Sequence, residues 1–153
     1  MNSSRIAAFT AFGLIIVDQA TKIWAVEVFS SREFGLIGDV IELRVTRNTG
    51  AAFSSLQGFG SFIGLAAVGV IILIIAIIHR TSRQMEVAGL ALVLGGAIGN
   101  LLDRIFRGDG FLDGGVVDWI DPSFFPAFNA ADTAITIGAA VLLISVMRSV
   151  DHG

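Results

Sequence analysis

Four long apolar segments decide what this chain can fold into. They lie near residues 6–26, 59–78, 85–102 and 128–147, and a helix that crosses a bilayer needs about 20 mostly apolar residues. Composition agrees: 54% of the residues are hydrophobic and only 15% charged, where soluble domains hold roughly a quarter charged residues. The 153 residues suffice for one domain, so residues 1–153 are expected to form a single integral membrane unit. Four crossings put both termini on one side. Arg5 precedes an apolar run, as in a secretory signal, but Asp18 and Lys22 interrupt that run. No small-x-small cleavage site follows closely, so the segment reads as a retained span.

Several chemistries drop out. The formal charge of -3 is small and argues against a nucleic-acid partner. The absence of cysteine removes disulfides, thiol nucleophiles and thiolate metal sites. His79 and His152 are the only histidines and no HExxH run is present, so neither a metal nor another cofactor is expected.

Orientation follows from a tight link. His79-Arg80-Thr81-Ser82-Arg83-Gln84 is short and basic, and Arg5 and Arg148 flank the outer spans on the same side. The positive-inside rule makes that side, with both termini, cytoplasmic. Arg32, Arg44, Arg47, Arg104 and Arg107 fall on the other side, in longer links. There Ile41, Leu43 and Val45 alternate with Glu42, Arg44 and Thr46, the period of a half-buried strand. Asn48-Thr49-Gly50 follows as a turn signal, and Ala51-Ala52-Phe53 offers apolar surface. Residues of about 34–57 are therefore expected to form a small extracytoplasmic β element on the membrane surface. The link from Asp103 to about Ala127 is turn-rich, Val116-Val117-Asp118-Trp119-Ile120 reads as a short strand, and Pro122 and Pro126 discourage helix.

Polar residues in and beside the spans are the candidates for function, because a carboxylate at the edge of a span is costly to desolvate. Asp118 ends a β-branched run and Asp132 opens the last apolar segment. Two carboxylates at one membrane boundary point to a shared acid/base site. Asn129 and Asp132 also read as a helix cap with a carboxylate near the helix's positive end, a role compatible with catalysis. Asp18 and Lys22, four apart, share a helix face. They read either as an internal ion pair that pins the first helix or as a pair that orients substrate. Gly95 and Gly99 form GxxxG, which lets another helix approach closely. Gly96, Asn100 and Asp103 fall into one stripe. It reads either as the wall of a polar cavity or as an ordinary helix contact ending in an Asp103–Arg104 pair.

Taken together, the motifs resemble the lipoprotein signal peptidase family, also called signal peptidase II. The resemblance is carried by Asp18-Gln19-Ala20-Thr21-Lys22, Arg47-Asn48-Thr49-Gly50-Ala51-Ala52-Phe53, Gly95-Gly96-Ala97-Ile98-Gly99-Asn100-Leu101-Leu102-Asp103-Arg104, Val116-Val117-Asp118-Trp119 and Phe128-Asn129-Ala130-Ala131-Asp132-Thr133-Ala134-Ile135. These occur in the family's order over nearly the whole chain. The resemblance implies a membrane all-α fold, four transmembrane helices with a small extracytoplasmic β-cradle. It implies an aspartic endopeptidase of the bacterial inner membrane that cuts prolipoproteins before a diacylglyceryl-modified cysteine. Asp118 and Asp132 match the catalytic positions. Asn48, Gly50, Asn100, Asp103, Arg104 and Asn129, with Asp18 and Lys22, are expected to bind substrate or brace the site. Prolipoproteins and membrane lipids are the expected partners, and a monomer the expected state. Trp119 stands where the family more often has phenylalanine, the 104–115 link is longer than usual, and the segment between the two aspartates is shorter.

Two close carboxylates tend to share one proton. The ionised one activates water and the protonated one polarises the carbonyl and protonates the leaving amine. Which starts ionised stays open, with the helix N-terminus favouring Asp132. The main alternative is a small proton-coupled membrane transporter relaying protons through Asp18, Asp103 and Asp132. It requires a polar path across the membrane, of which the second span has almost none. A non-catalytic scaffold held by GxxxG contacts is a third reading, and it predicts that isosteric changes at the aspartates are harmless.

Overall fold

The first helix buries its small and polar face and leaves most of its large apolar residues outside. The computed structural model describes residues 3–50 and 60–150. Ala51-Ala52-Phe53, and with it the 51–57 part of the expected β element, lies outside the described residues. In chain order the elements are α1 (Ser3–Phe29), β1 (Phe34–Ile37), β2 (Ile41–Asn48), α2 (Gly60–Ile78), α3 (Gln84–Phe106), β3 (Val116–Pro122) and α4 (Ala130–Val150). Four helices long and apolar enough to cross a membrane, with one small antiparallel sheet, form the expected architecture.

In α1 the buried residues are Ala7, Ala11, Asp18, Lys22, Ala25 and Phe29, a single helical face. Phe9, Phe12, Ile16 and Trp24 point outward. This inversion suits a bilayer. Lipid tails are as apolar as leucine, so helices associate through close backbone approach and polar pairing. Helix α3 is the hub, with α1, α2 and α4 all packed on it. Its glycines seat two neighbours. A Cβ at Gly95 would lie 3.0 Å from the Ala11 Cα, and one at Gly99 would lie 2.5 Å from Asp18 Oδ2, so the GxxxG face receives α1. Gly96 faces α4, where a Cβ would lie 2.5 Å from the Ala131 carbonyl oxygen. The apolar core lies in the half of the bundle away from the sheet, where Ile71, Ile74 and Ile78 of α2 meet Val87, Leu90 and Leu94 of α3.

The sheet runs β1-β2-β3 and sits at the helix ends through which the chain leaves α1 and α3 and enters α2 and α4. Thr46 pairs with Asp118 and Asn48 with Val116, which makes Asn48 a same-face diagonal neighbour of Asp118. Residues 41–46 are all half-buried rather than alternately buried and exposed. Three strands at the end of a bundle are too few to seal either face. The 104–115 link folds onto α2: Ser61 Oγ donates to the Phe111 carbonyl at 2.6 Å, and Leu112, at φ 57, packs against Gly64. The Gly114 N–H returns to the Arg104 carbonyl at 3.1 Å.

At Gly96 the obstacle is backbone, which cannot swing aside. Gly96→Ala is expected to lower the thermal unfolding midpoint in detergent, at a cost of about 1–3 kcal/mol for forced overpacking. Gly13→Ala, which meets nothing within 4 Å, is the control and should leave the midpoint in place; equal behaviour of the two would refute the packing account.

Candidate active site

Asp118 from β3 and Asp132 from the first turn of α4 line one cavity of about 300 Å³. Asn48, Asn100 and Arg104 complete its polar wall; Ile63, Ala67 and Val70 of α2 with Val93, Ala97 and Leu101 of α3 form the apolar remainder. A larger recess of about 500 Å³, walled by Phe125, Phe128, Thr136 and Ile137, meets this cavity at Asn48 and Asp132.

The start of α4 fixes Asp132. Asn129 Oδ1 accepts the Asp132 N–H at 3.0 Å, and Asp132 Oδ2 accepts the Asn129 N–H at 3.2 Å, a reciprocal cap of the helix's free donors. The Ala131 N–H is taken at 3.0 Å by Asp18 Oδ1, reaching across from α1.

Three asparagines surround the aspartates, and each has its orientation set from outside the pair. A carboxamide presents an acceptor at one end and donors at the other, so occupying its oxygen decides where its NH2 points. Asn129 Oδ1 caps α4, and its Nδ2 donates to Asp118 Oδ1 at 2.7 Å. Asn48 Oδ1 accepts the Gly50 N–H at 3.1 Å, and its Nδ2 donates to Asp118 Oδ2 at 3.3 Å. Gly50 sits at φ 140, a conformation that side chains with a Cβ rarely adopt. Asn100 Oδ1 accepts from Lys22 Nζ at 2.9 Å, and its Nδ2 donates to Asp132 Oδ1 at 2.8 Å.

Behind the cavity lies a charged layer. Lys22 Nζ is 2.9 Å from both Asp18 Oδ2 and Asp103 Oδ2, and all three side chains are fully buried. Asp103 also pairs with Arg107 Nε at 2.7 Å and accepts the Val117 N–H at 3.0 Å, one residue before Asp118. The expected stripe is therefore divided. Of Gly96, Asn100 and Asp103, only Asn100 borders the cavity; Gly96 lies under α4 and Asp103 turns to Lys22. Nor does Asp103 pair with Arg104. The two side chains leave α3 a helical step of about 100° apart, and Asp103 is already occupied by Lys22 and Arg107. Arg104 is 7% exposed and interacts with Asp118 only through its charge, and its Nη1 is buried with no acceptor among the described residues.

Sequence reasoning missed Arg107, although its position four residues after Asp103 on one helix was the available signal. It also missed Gln19, whose Nε2 donates to the Gly99 carbonyl at 3.0 Å, and the stack in which Trp24 meets both Phe29 and Trp119 edge to face.

Burial pushes the Asp118 carboxyl up to about 7, and the nearby charge of Asp132 pushes the same way. The Asn129 and Asn48 donors and the Lys22 charge oppose the shift without cancelling it. Near neutrality Asp118 is thus a carboxyl group poised to give or take a proton.

Residues 10–148 match the family described as Signal peptidase (SPase) II. The lipoprotein signal peptidase of Rhodococcus jostii (strain RHA1) is 42% identical over 92% of this chain and 72% of its own length. That of Mycolicibacterium smegmatis is 38% identical over 93% of this chain and 60% of its own length. Two solved structures, each described as a bacterial membrane enzyme structure by the in meso method, superpose with TM-scores of 0.81 and 0.77 at 26% and 29% identity. They cover 96% and 92% of this chain and 90% and 92% of their own. The chain belongs to the signal peptidase II family.

Proposed function

We propose that this chain is an aspartic endopeptidase that removes signal peptides from prolipoproteins, cutting just before the diacylglyceryl-modified cysteine, with Asp118 and Asp132 as its dyad. The observation that carries this reading is the pair itself: two carboxylates from different elements on one small cavity, one of them held up to about 7. Asp118 enters as the acid. Asp132, in the first turn of α4, takes a proton from the water as its oxygen adds to the scissile carbonyl carbon. Asp118 polarises the carbonyl oxygen and its proton passes to the leaving nitrogen as the C–N bond breaks. The open N–H of Arg104 suits a backbone carbonyl of the substrate.

The same geometry supports a lipid-borne substrate. The recess beside Asp132 takes its apolar lining from Phe125, Pro126, Ala127 and Phe128 with Ile137 of α4, where diacylglyceryl chains can lie. With the basic 79–84 link on the cytoplasmic side, the termini are cytoplasmic and the site lies near the outer face of the inner membrane. Phe34, Leu36 and Ile37 of β1 and Val40 of the turn after it, exposed with Phe124 and Phe125, favour a sheet resting on the bilayer. The chain acts as one unit and as a monomer in this reading. Proton-coupled transport is less well supported, since α2 carries no charged residue to extend a polar path.

The purified protein is expected to release the signal peptide from a diacylglyceryl-modified prolipoprotein on a gel, with or without chelator. Asp118→Asn and Asp132→Asn should each reduce the rate by about 100-fold or more while the variants stay folded. Survival of either activity would remove that aspartate from the dyad, and a wild type that does not cleave would reopen the transport reading.

The pH dependence follows from Asp118. Its acid form is needed, so kcat/KM should fall as pH rises through about 7. Asn48→Ala removes a donor that favours the anion, so the alkaline limb should move to higher pH. A limb that stays put or moves down would show that Asp118 does not govern it.

A further inference from the structure

Lys22 is fully buried and does not border the cavity, and the reaction above makes no use of it. We propose, resting on the dyad reading above, that Lys22 is a positioning residue that decides which aspartate is the base. It locks the Asn100 carboxamide so that Asp132 can only accept a hydrogen bond from it.

An ammonium has three donors and no acceptor. Those of Lys22 meet Asp18 Oδ2, Asp103 Oδ2 and Asn100 Oδ1, each at 2.9 Å. Turning Asn100 over would set its NH2 against the ammonium, inside a layer that water does not reach. Asn100 Nδ2 therefore stays on Asp132 Oδ1, at 2.8 Å. A proton on that oxygen would bring two donors together. The other oxygen of Asp132 already accepts the Asn129 N–H at 3.2 Å, so both oxygens are held as acceptors, with lone pairs left for a proton arriving from water. Asp118 is held less evenly. Asn129 grips Oδ1 at 2.7 Å, while Asn48 reaches Oδ2 only at 3.3 Å, which leaves Oδ2 the oxygen best placed to carry a proton. The asymmetry of the pair thus begins on α1, one amide away from the chemistry.

A purely structural ion pair behaves differently. Its loss would scale activity down without changing the shape of the pH profile. The charged groups facing the aspartates are Arg104 and Lys22, besides the aspartates themselves. α2 offers the cavity only Ile63, Ala67 and Val70, and β2 only the Asn48 amide.

The test compares kcat/KM against pH for wild type, the double variant Lys22→Met with Asp18→Asn, and Asn100→Asp. The double variant removes one charge of each sign and leaves Asn100 Oδ1 only the longer contact from Asn129 Nδ2, at 3.2 Å. Its pH profile should change shape, with the acid limb at higher pH, because the Asn100 donor is no longer held firmly on its acceptor. Asn100→Asp keeps an acceptor for Lys22 but offers Asp132 a donor only when the new carboxyl is protonated. A carboxylate there also sets a second negative charge against the pair, so the acid limb should move to higher pH, with a loss of roughly tenfold or more at pH 6. Should the double variant fail to fold, Asn100→Asp decides alone. Profiles that superimpose on wild type after vertical scaling would overturn the positioning role while leaving the protease intact. A wild type that cleaves nothing would overturn both.

Discussion

One buried ammonium ties the parts of this protein together. Lys22 joins α1 to α3 through Asp103, and its partner Asp18 reaches on to the first turn of α4. Asp103 holds the backbone of β3 beside Asp118. The heights of three helices and one strand are therefore set by a single charged cluster. Such a cluster adds little net stability over a well-packed apolar one, but removing one partner leaves a buried charge uncompensated, at about 3–5 kcal/mol in soluble proteins. A slip of α1 along α3 would incur that cost, which is why the arrangement is specific even where lipid supplies no drive for one apolar face to seek another.

The four spans were legible because length and apolarity are what a bilayer demands. Small residues and ordered motifs likewise made the candidate site legible as a set. What could not be read was direction. Sequence periodicity locates the apolar face of a helix, and in lipid that face does not point inward; α1 buries Ala11, Asp18 and Lys22 and exposes Phe12 and Ile16. Gly96, Asn100 and Asp103 look like one stripe, yet three different neighbours claim them: α4, the cavity and Lys22. The Asp118–Asn48 contact depends on the β2–β3 register, a choice that spacing along the chain does not disclose.

The side-chain donors that reach the two aspartates are amides held in place by something behind them. A helix cap orients Asn129, a glycine turn orients Asn48 and an ammonium orients Asn100. Amides are a reasonable material for such a wall. They donate to a carboxylate without carrying a charge, so they steady the Asp118 anion less than a cation would, and burial still holds that carboxyl up to about 7. Among the described residues two buried N–H groups lack an acceptor, those of Arg104 Nη1 and of Trp119 Nε1 beside Asp118.

The aromatic stack beside Asp118 has an optical consequence. The chain holds two tryptophans and no tyrosine, and the two indoles meet edge to face with ring centroids 5.7 Å apart. One of them immediately follows Asp118 on β3; the other rides on α1, two residues past Lys22. Nearly all ultraviolet emission of the molecule therefore originates at the junction of the strand that carries the acid and the helix that carries the ammonium. The protein contains its own fluorescent gauge of the distance between them, with no label needed and no distant chromophore to dilute the signal.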